Sequence, residues 1–278
     1  MNRTVSYTTE IAPDRIIRGT VELPPEDTLP APVVVFCHGF KGFKDWGGWP
    51  WLSRRLAARG FIVNRFNFSY CGVAHSDDLH DEPAKFSQNT YGLEIDDLRA
   101  LLARRQEWGI NDVPCRGTVG LLGHSRGGLV SLLYAPDDLT IGAVATLGAP
   151  GRSDRFDDEQ VAEWRRVGKM EIPNARTGQL LHLDRSVLED YESNRERYNV
   201  AAAIDRRAVP TMVIHAADDA TVGIDEAHLI YNRVQAPRRL EVFPEGGHTF
   251  GTKHPFDGTS EELEQVVDHA ADWFAEHL

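Results

Sequence analysis

Residues 123–127, with the sequence Gly-His-Ser-Arg-Gly, form the segment whose residue types and spacing most directly indicate chemistry. Apolar residues dominate both flanks, at 118–122 and at 128–134, which predicts a buried strand followed by a helix. A sharp strand-to-helix turn strains the backbone of the serine, requires small neighbours and turns the hydroxyl outward. The pattern therefore predicts that Ser125 is a nucleophile and that the backbone N–H of Arg126 faces the oxyanion formed on a carbonyl substrate.

A serine hydroxyl is a weak nucleophile and needs a base that is oriented by an acid, so both are expected at later strand ends. Asp218 and Asp219 follow the predicted strand 211–215, and His248 lies in a glycine loop after the predicted strand 239–243. The order serine, aspartate, histidine is the one that accompanies the G-x-S-x-G motif. We predict His248 as the base and Asp219, in preference to Asp218, as the acid.

A second oxyanion donor is expected in the loop after an earlier core strand. His38, Gly39 and Phe40 follow the apolar run 33–37, which is typical of a strand buried on both faces. Gly39 allows the backbone to approach a substrate, and the N–H of Phe40 then acts together with that of Arg126. His38 precedes the nucleophile, and we interpret it as forming a structural hydrogen bond.

Short apolar runs alternate with helical patterns along most of the chain, which favours an α/β fold with a parallel sheet. Residues 4–23 are predicted as an edge hairpin, and Thr259 with Glu262 forms a capping box before a closing helix. Residues 152–207 are rich in charged residues and lack a buried-strand run, so they are predicted as a mostly helical insertion. The other predicted strands are 33–37, 61–68, 118–122, 141–147, 211–215 and 239–243, and the other predicted helices are 51–59, 95–102, 128–134 and 224–233.

Four of these segments occur in the order found in the α/β-hydrolase family, namely His38-Gly39-Phe40, residues 123–127, the loop of Asp219, and Gly247-His248. The chain resembles that family over essentially its whole length. It looks most like small bacterial carboxylesterases of the cinnamoyl or feruloyl esterase and dienelactone-hydrolase-like groups. It departs from them in two ways: the common His-Gly before the acid is His215-Ala216 here, and dienelactone hydrolases proper use a cysteine where this chain has Ser125. Lactone specificity is therefore not implied.

The resemblance implies a single α/β-hydrolase domain over residues 1–278, with a short helical cap inserted at about 152–207. Its sheet would be mostly parallel and eight-stranded, with helices on its flanks. The resemblance also implies no cofactor and a catalytic triad of Ser125, Asp219 and His248.

Hydrolysis of a small-molecule carboxylic ester through an acyl-enzyme is the reaction that these residues favour. An amidase or peptidase with the same triad is an alternative, because the fold permits both. A non-catalytic binding protein on a hydrolase fold is an alternative of another class.

The aromatic residues predicted to line a substrate pocket are Trp164, Tyr191 and Tyr198 of the insertion and Phe43, Trp46 and Tyr70 of strand-end loops.

Composition excludes several other classes of function. The 278 residues include 42 acidic and 30 basic side chains, and a net charge of -12 disfavours nucleic acid as a partner. No apolar segment approaches the roughly 18 residues of a membrane span, and no signal segment is visible, so a cytoplasmic protein is expected. The sequence does not determine the oligomeric state, and a dimer is one possibility.

Cys37, Cys71 and Cys115 are predicted as reduced, buried thiols.

A polar cluster at residues 75–82 could be mistaken for a metal site. It contains His75, Asp77, Asp78, His80, Asp81 and Glu82. This spacing matches no zinc or calcium motif, so a solvated loop and no metal are predicted.

Overall fold

The computed structural model describes residues 3–76 and 78–278, and the centre of this part of the chain is a large twisted sheet. The strands are β1 (Thr4–Ala12), β2 (Arg15–Glu22), β3 (Ala31–Cys37), β4 (Ile62–Asn67), β5 (Cys115–His124), β6 (Ile141–Leu147), β7 (Lys169–Pro173), β8 (Leu180–Asp184), β9 (Thr211–Ala216) and β10 (Arg238–Phe243). Eight of them form one sheet in the order β1-β2-β4-β3-β5-β6-β9-β10. Strands β1 and β2 are antiparallel to their neighbours, and all other pairs in this sheet are parallel. The predicted mostly parallel eight-stranded sheet is confirmed.

Helices cover both faces of the sheet. They are α1 (Trp49–Ala58), α2 (Pro83–Phe86), α3 (Tyr91–Ala103), α4 (Arg126–Tyr134), α5 (Asp158–Val167), α6 (Arg185–Ser193), α7 (Val200–Arg206), α8 (Ile224–Arg233) and α9 (Glu261–His277). One core cluster joins the sheet to α3, α4, α7 and α8, and a second joins it to α1 and α9.

Strand β3 shows why its sequence is apolar at every position. Val33 and Val35 belong to the first core cluster, whereas Val34 and Phe36 belong to the second. Successive side chains of a strand point to opposite faces, so a strand covered on both faces needs apolar residues throughout. Strands β3, β5, β6, β9 and β10 run parallel to one another, so their carboxyl ends lie along one edge of the sheet.

The closing helix begins one residue later than the sequence indicates. Ser260, and not Thr259, is the N-cap, since its hydroxyl accepts a hydrogen bond from the N–H of Leu263 at 3.0 Å. Either hydroxyl could cap a helix by residue type. The predicted capping box was therefore wrong in its register.

The insertion after β6 is not mostly helical. It contains α5 and α6, but β7 and β8 pair as an antiparallel hairpin between them. These elements and Phe86 of α2 bury a small separate core, to which the insertion contributes Trp164, Leu181, Leu183, Val187 and Leu188. Helix α7, which falls within the predicted cap range of 152–207, packs instead on α4 and α8 in the main layer.

The thiols are all unpaired, but only two are buried. Cys37 and Cys71 lie in the core, whereas Cys115, at the start of β5, is exposed. The prediction of three buried thiols was wrong for Cys115, because the first three residues of β5 are exposed and burial begins only further along the strand. None of the described helices is both long and apolar enough to cross a membrane.

Candidate active site

Ser125 occupies a strained turn between β5 and α4. Its φ of 51° and ψ of -123° lie outside the regions that L-residues prefer. A Cβ on Gly127 would lie 2.2 Å from the carbonyl oxygen of Cys37, and one on Gly123 would lie 2.5 Å from the backbone of Gly128. Only glycine allows α4 to pack this closely against β3 and β5. The side chain of Ser125 does not cap α4 and instead faces a cavity.

Asp219 and His248 meet at the ends of β9 and β10. His248 lies in a short 3₁₀ helix, Gly247–Thr249, and its Nδ1 donates to Oδ2 of Asp219 at 2.8 Å. The other carboxylate oxygen of Asp219 accepts the N–H groups of Thr221 and Val222 at 2.8 and 2.9 Å. The carboxylate is therefore fixed in the orientation that holds the imidazole.

The carboxylate of Asp218 accepts a hydrogen bond from the loop that carries His248 and does not contact the imidazole of His248. Oδ1 of Asp218 accepts the N–H of Gly247 at 2.8 Å, and the residue is exposed. Of the two aspartates, Asp219 is thus the one in contact with His248.

The pKa of Asp219 is lowered despite the burial of its side chain. Burial acts to raise the pKa, but hydrogen bonds from His248, Val222 and Thr221 and the nearby charge of His248 outweigh it. Asp219 therefore stays ionised at neutral pH and accepts the proton of Nδ1. That hydrogen bond leaves Nε2 of His248 as the nitrogen that can take up a proton.

His124, directly before Ser125, supports the loop of His248. Its Nε2 donates to the carbonyl oxygen of His248 at 2.9 Å, and the two rings lie 4.8 Å apart. Burial, followed by the charge of His248, lowers the pKa of His124 to about 3, so this ring is neutral. This contact was not predicted from the sequence, where its only signal was the position of His124 beside the nucleophile.

The loop after β3 lies against the turn of Ser125. A Cβ on Gly39 would lie 3.0 Å from Cβ of Ser125 and 2.9 Å from Nδ1 of His124. Phe40 follows directly, and Arg126 is the first residue of α4, where a backbone N–H has no intrahelical acceptor. The two predicted oxyanion donors therefore belong to segments that meet at Ser125.

His38 forms two hydrogen bonds within this loop. Its Nδ1 donates to the carbonyl oxygen of Gly39 at 2.9 Å, and its Nε2 accepts the N–H of Phe68 at 3.3 Å. Burial lowers the pKa of His38 to about 4. A neutral ring with both nitrogens engaged suits the structural role predicted for it.

Two cavities open at this edge of the sheet, and Phe40 lines both. The first, here called the Ser125 cavity, measures about 200 Å³ and is lined by Ser125 and Arg126 together with residues of the insertion. The second, here called the His248 cavity, measures about 300 Å³ and is lined by His248 and His124 together with Lys41 and the turn between β7 and β8.

The side chain of Arg126 forms one wall of the Ser125 cavity. Its Nε donates to Glu94 at 2.8 Å, and its guanidinium stacks over the ring of Tyr91 at 4.3 Å. Asn89 donates to the same Glu94 carboxylate at 2.7 Å. This buried network fixes α4 against α3 at the nucleophile turn, a role that was not predicted from the sequence for these residues.

The aromatic residues predicted to line a pocket are divided by the structure. Trp164 and Tyr191 line the Ser125 cavity, and Trp46 lines the His248 cavity. Phe43, Tyr70 and Tyr198 line neither of these two cavities. Phe43 packs edge-on against the ring of His254 in the core, and Tyr198 stacks behind Tyr191 and donates to Asp190 at 2.8 Å.

The polar cluster at 75–82 is held by hydrogen bonds and an ion pair. Asp81 accepts the backbone N–H groups of Ala74, His75 and Ser76, and Asp78 pairs with Arg176. Asp77 lies outside the described residues. In residues 3–76 and 78–278, no three His, Cys, Asp or Glu side chains come together as a metal site requires.

The family follows from a comparison with known proteins. A profile described as the alpha/beta hydrolase family matches residues 34–262, so the chain belongs to that family. No curated protein sequence matches the chain.

Solved structures with the same fold include several esterases. Est1E from Butyrivibrio proteoclasticus aligns with a TM-score of 0.69 at 16% identity, over 98% of each chain, and it has also been solved with ferulic acid bound. The esterase domain of a Rhodothermus marinus protein aligns with a TM-score of 0.62 at 20% identity, over 100% of this chain and 99% of that one. A dienelactone hydrolase from Anabaena variabilis aligns with a TM-score of 0.64 at 16% identity, over 100% of this chain and 99% of that one. The chain is thus an α/β hydrolase with esterase-like structural neighbours.

Proposed function

We propose that this hydrolase is a serine carboxylesterase that works through an acyl-enzyme. The observation that carries the proposal is the 2.8 Å hydrogen bond from Nδ1 of His248 to Asp219, beside a strained serine turn. A buried carboxylate that orients an imidazole is the arrangement a serine needs to lose its proton.

The proposed reaction has two halves. In the first, Nε2 of His248 accepts the proton of Ser125 as Oγ attacks the ester carbonyl, and then gives that proton to the departing alcohol. Asp219 stabilises the imidazolium while it is charged. In the second half, a water activated by His248 attacks the acyl-enzyme, and the carboxylic acid leaves as Ser125 recovers its proton.

The oxyanion of each tetrahedral intermediate is assigned to the backbone N–H groups of Phe40 and Arg126. The close approach of Gly39 to Ser125 supports this assignment, since it brings the next N–H of that loop to the nucleophile turn. The free N–H groups at the start of α4 and the dipole of that helix favour negative charge at the same point.

The acyl group is assigned to the Ser125 cavity. Its walls include Phe156, Trp164, Leu183, Val187 and Leu188, which together suit an aromatic or medium-length acyl chain. Est1E has been solved with ferulic acid bound, so hydroxycinnamate esters belong in the substrate panel beside aliphatic esters of increasing length.

Covalent labelling tests the nucleophile. A fluorophosphonate probe should label the wild-type protein and fail to label Ser125→Ala, because the probe reacts only with an activated serine. Ser131→Ala is a matched control, since Ser131 is a buried serine on the same helix, and it should still be labelled. Folded wild-type protein that resists the probe would favour the non-catalytic binding protein instead.

Matched substrates separate the esterase from an amidase or peptidase with the same triad. We expect hydrolysis of an ester to exceed that of the anilide of the same acid in kcat/KM. Faster cleavage of the anilide would overturn the assignment to esters while keeping the triad.

A further inference from the structure

The His248 cavity is lined by two cationic side chains that are only partly neutralised. Nζ of Lys41 donates to the carbonyl oxygen of Pro173 at 3.4 Å, and in residues 3–76 and 78–278 no carboxylate pairs with it. Arg176 pairs with the side chain of Asp78 and donates to its carbonyl oxygen at 2.7 Å. A guanidinium has five N–H groups, so others remain available.

An orphaned amide lies beside these cations. Asn174, in the turn between β7 and β8, lines the cavity and is only 7% exposed. Within the described part of the chain, its buried Nδ2 has no hydrogen-bond partner. A buried donor without an acceptor costs free energy, and an acceptor on a bound molecule would remove that cost.

A neighbouring histidine responds to the same positive charge. His80 is buried, and its pKa is lowered to about 4, first by burial and then by the charges of Arg176 and Lys41, while Asp81 acts weakly in the opposite direction. The positive charges of Arg176 and Lys41 therefore act on the groups beside the turn between β7 and β8.

The Ser125 cavity differs, because each of its arginines has a carboxylate partner, whereas Lys41 of the His248 cavity has none in the described part of the chain. Arg126 pairs with Glu94 at 2.8 Å, and Arg155 lies 3.6 Å from Glu226. In the proposed reaction His248 must hand its proton to the departing alcohol, so the alcohol half of the ester lies on the His248 side. The acyl and alcohol halves therefore meet environments of different charge.

From these observations we propose that the His248 cavity is a subsite for a carboxylate carried by the alcohol half of the substrate. Lys41 and Arg176 neutralise the carboxylate, and Asn174 donates a hydrogen bond to it. This inference rests on the proposed esterase function and narrows it to esters whose alcohol is itself an acid.

Binding to a protein that cannot turn over its substrate tests the subsite directly. Two esters of 3-phenylpropanoic acid share shape and differ in charge, one with 3-(hydroxymethyl)benzoate and one with 3-(hydroxymethyl)benzamide as the alcohol. Titration calorimetry with Ser125→Ala should give a Kd for the benzoate ester about tenfold lower than for the benzamide ester. Equal affinities would overturn the subsite.

Substitutions that remove the charge of Lys41 or Arg176 then show whether these side chains cause the preference for the benzoate ester. Lys41 has a φ of 58°, and asparagine tolerates that conformation, so Lys41→Asn in the Ser125→Ala background should fold. We expect the affinity ratio of the two esters to shrink about fivefold, and Arg176→Gln to shrink it as well. Lys253→Asn removes a lysine whose side chain is 75% exposed and should leave the ratio unchanged. A ratio that survives both Lys41→Asn and Arg176→Gln would rule the subsite out.

Turnover by the wild-type protein is the separate measure of the esterase function. Cleavage of both esters at similar kcat/KM, with equal binding, would reject the subsite and keep the esterase. Selective binding of the benzoate ester without cleavage of either ester would keep the subsite and reject the esterase.

Discussion

Adjacent aspartates at the end of β9 differ in what their carboxylates contact. Asp219 is buried and holds Nδ1 of His248, whereas Asp218 is exposed and accepts the N–H of Gly247. A change from carboxylate to carboxamide keeps the size of either side chain and removes its charge. Comparing the two carboxamide variants therefore tests which carboxylate orients the imidazole of His248.

We expect Asp219→Asn to lower kcat by roughly 10⁴, because an amide cannot stabilise the imidazolium and favours the wrong tautomer. Asp218→Asn keeps an acceptor oxygen for Gly247 and should change kcat by no more than about threefold. Steady-state kinetics on one ester, with circular dichroism to verify folding, checks both. Similar losses in the two variants would contradict the assignment of the acid.

Residue patterns were sufficient to predict the contact of His248 with an aspartate, because chain order and strand ends are visible in sequence. They favoured Asp219 over Asp218 but could not show the geometric difference between them, since both residues lie in the same loop and differ in orientation and burial. Phe43, Tyr70 and Tyr198 show the same limit: an aromatic residue near a site is as suited to the core as to a cavity wall.

Central elements are the ones that sequence periodicity located best. Strand β6 and helix α8 begin and end at the predicted residues, Ile141–Leu147 and Ile224–Arg233. Strand β6 is an almost fully buried apolar run, and α8 buries one face against β9. The β7–β8 hairpin was missed because its strands are half exposed, with alternating burial in a charged segment, whereas a fully apolar run was the expected signal. Strand order in the sheet depends on contacts distant in sequence.

The nucleophile turn depends on contact between elements, which predicts a large steric effect at Gly127. A Cβ there would overlap the carbonyl oxygens of Cys37 and His38 at 2.2 and 2.5 Å, so Gly127→Ala must move α4 away from β3. We expect a loss of about 3 kcal/mol in the free energy of unfolding, measured with urea. In the folded fraction, kcat should fall as Ser125 shifts.

Gly60→Ala is the control for the same substitution without overlap. Gly60 has a φ of 98°, and no atom lies within 4 Å of the point that a methyl group would occupy, so only backbone strain of about 1 kcal/mol is expected. Equal losses of stability at the two positions would mean that the packing of α4 on β3 does not set the turn.

Buried histidines couple the stability of the whole molecule to pH. Burial lowers the pKa of His38 to about 4 and that of His124 to about 3, against about 6.5 in an unfolded chain. The unfolded state therefore binds more protons as the pH falls below about 6.5, and the folded state loses stability over that range. Asp97, whose pKa burial raises to about 6, acts in the opposite direction and offsets part of the loss.

We expect each of these two histidines to remove about 2 kcal/mol of unfolding free energy between about pH 7 and pH 5. Urea titrations at a series of pH values should show a shallower decline for His38→Gln than for the wild-type protein. His228→Gln, at an exposed histidine, should keep the wild-type slope. A slope in His38→Gln equal to that of the wild type would show that His38 is not a source of the pH dependence.

Phe40 lines both cavities, whereas its assigned role in the reaction belongs to its main-chain N–H. Every residue type except proline offers that same N–H group. Substitution of the Phe40 side chain could therefore change which substrates fit the two cavities. The backbone N–H that is assigned to the oxyanion would remain in place. At position 40, substrate specificity depends on the side chain and catalysis depends on the backbone, so the two can be changed independently.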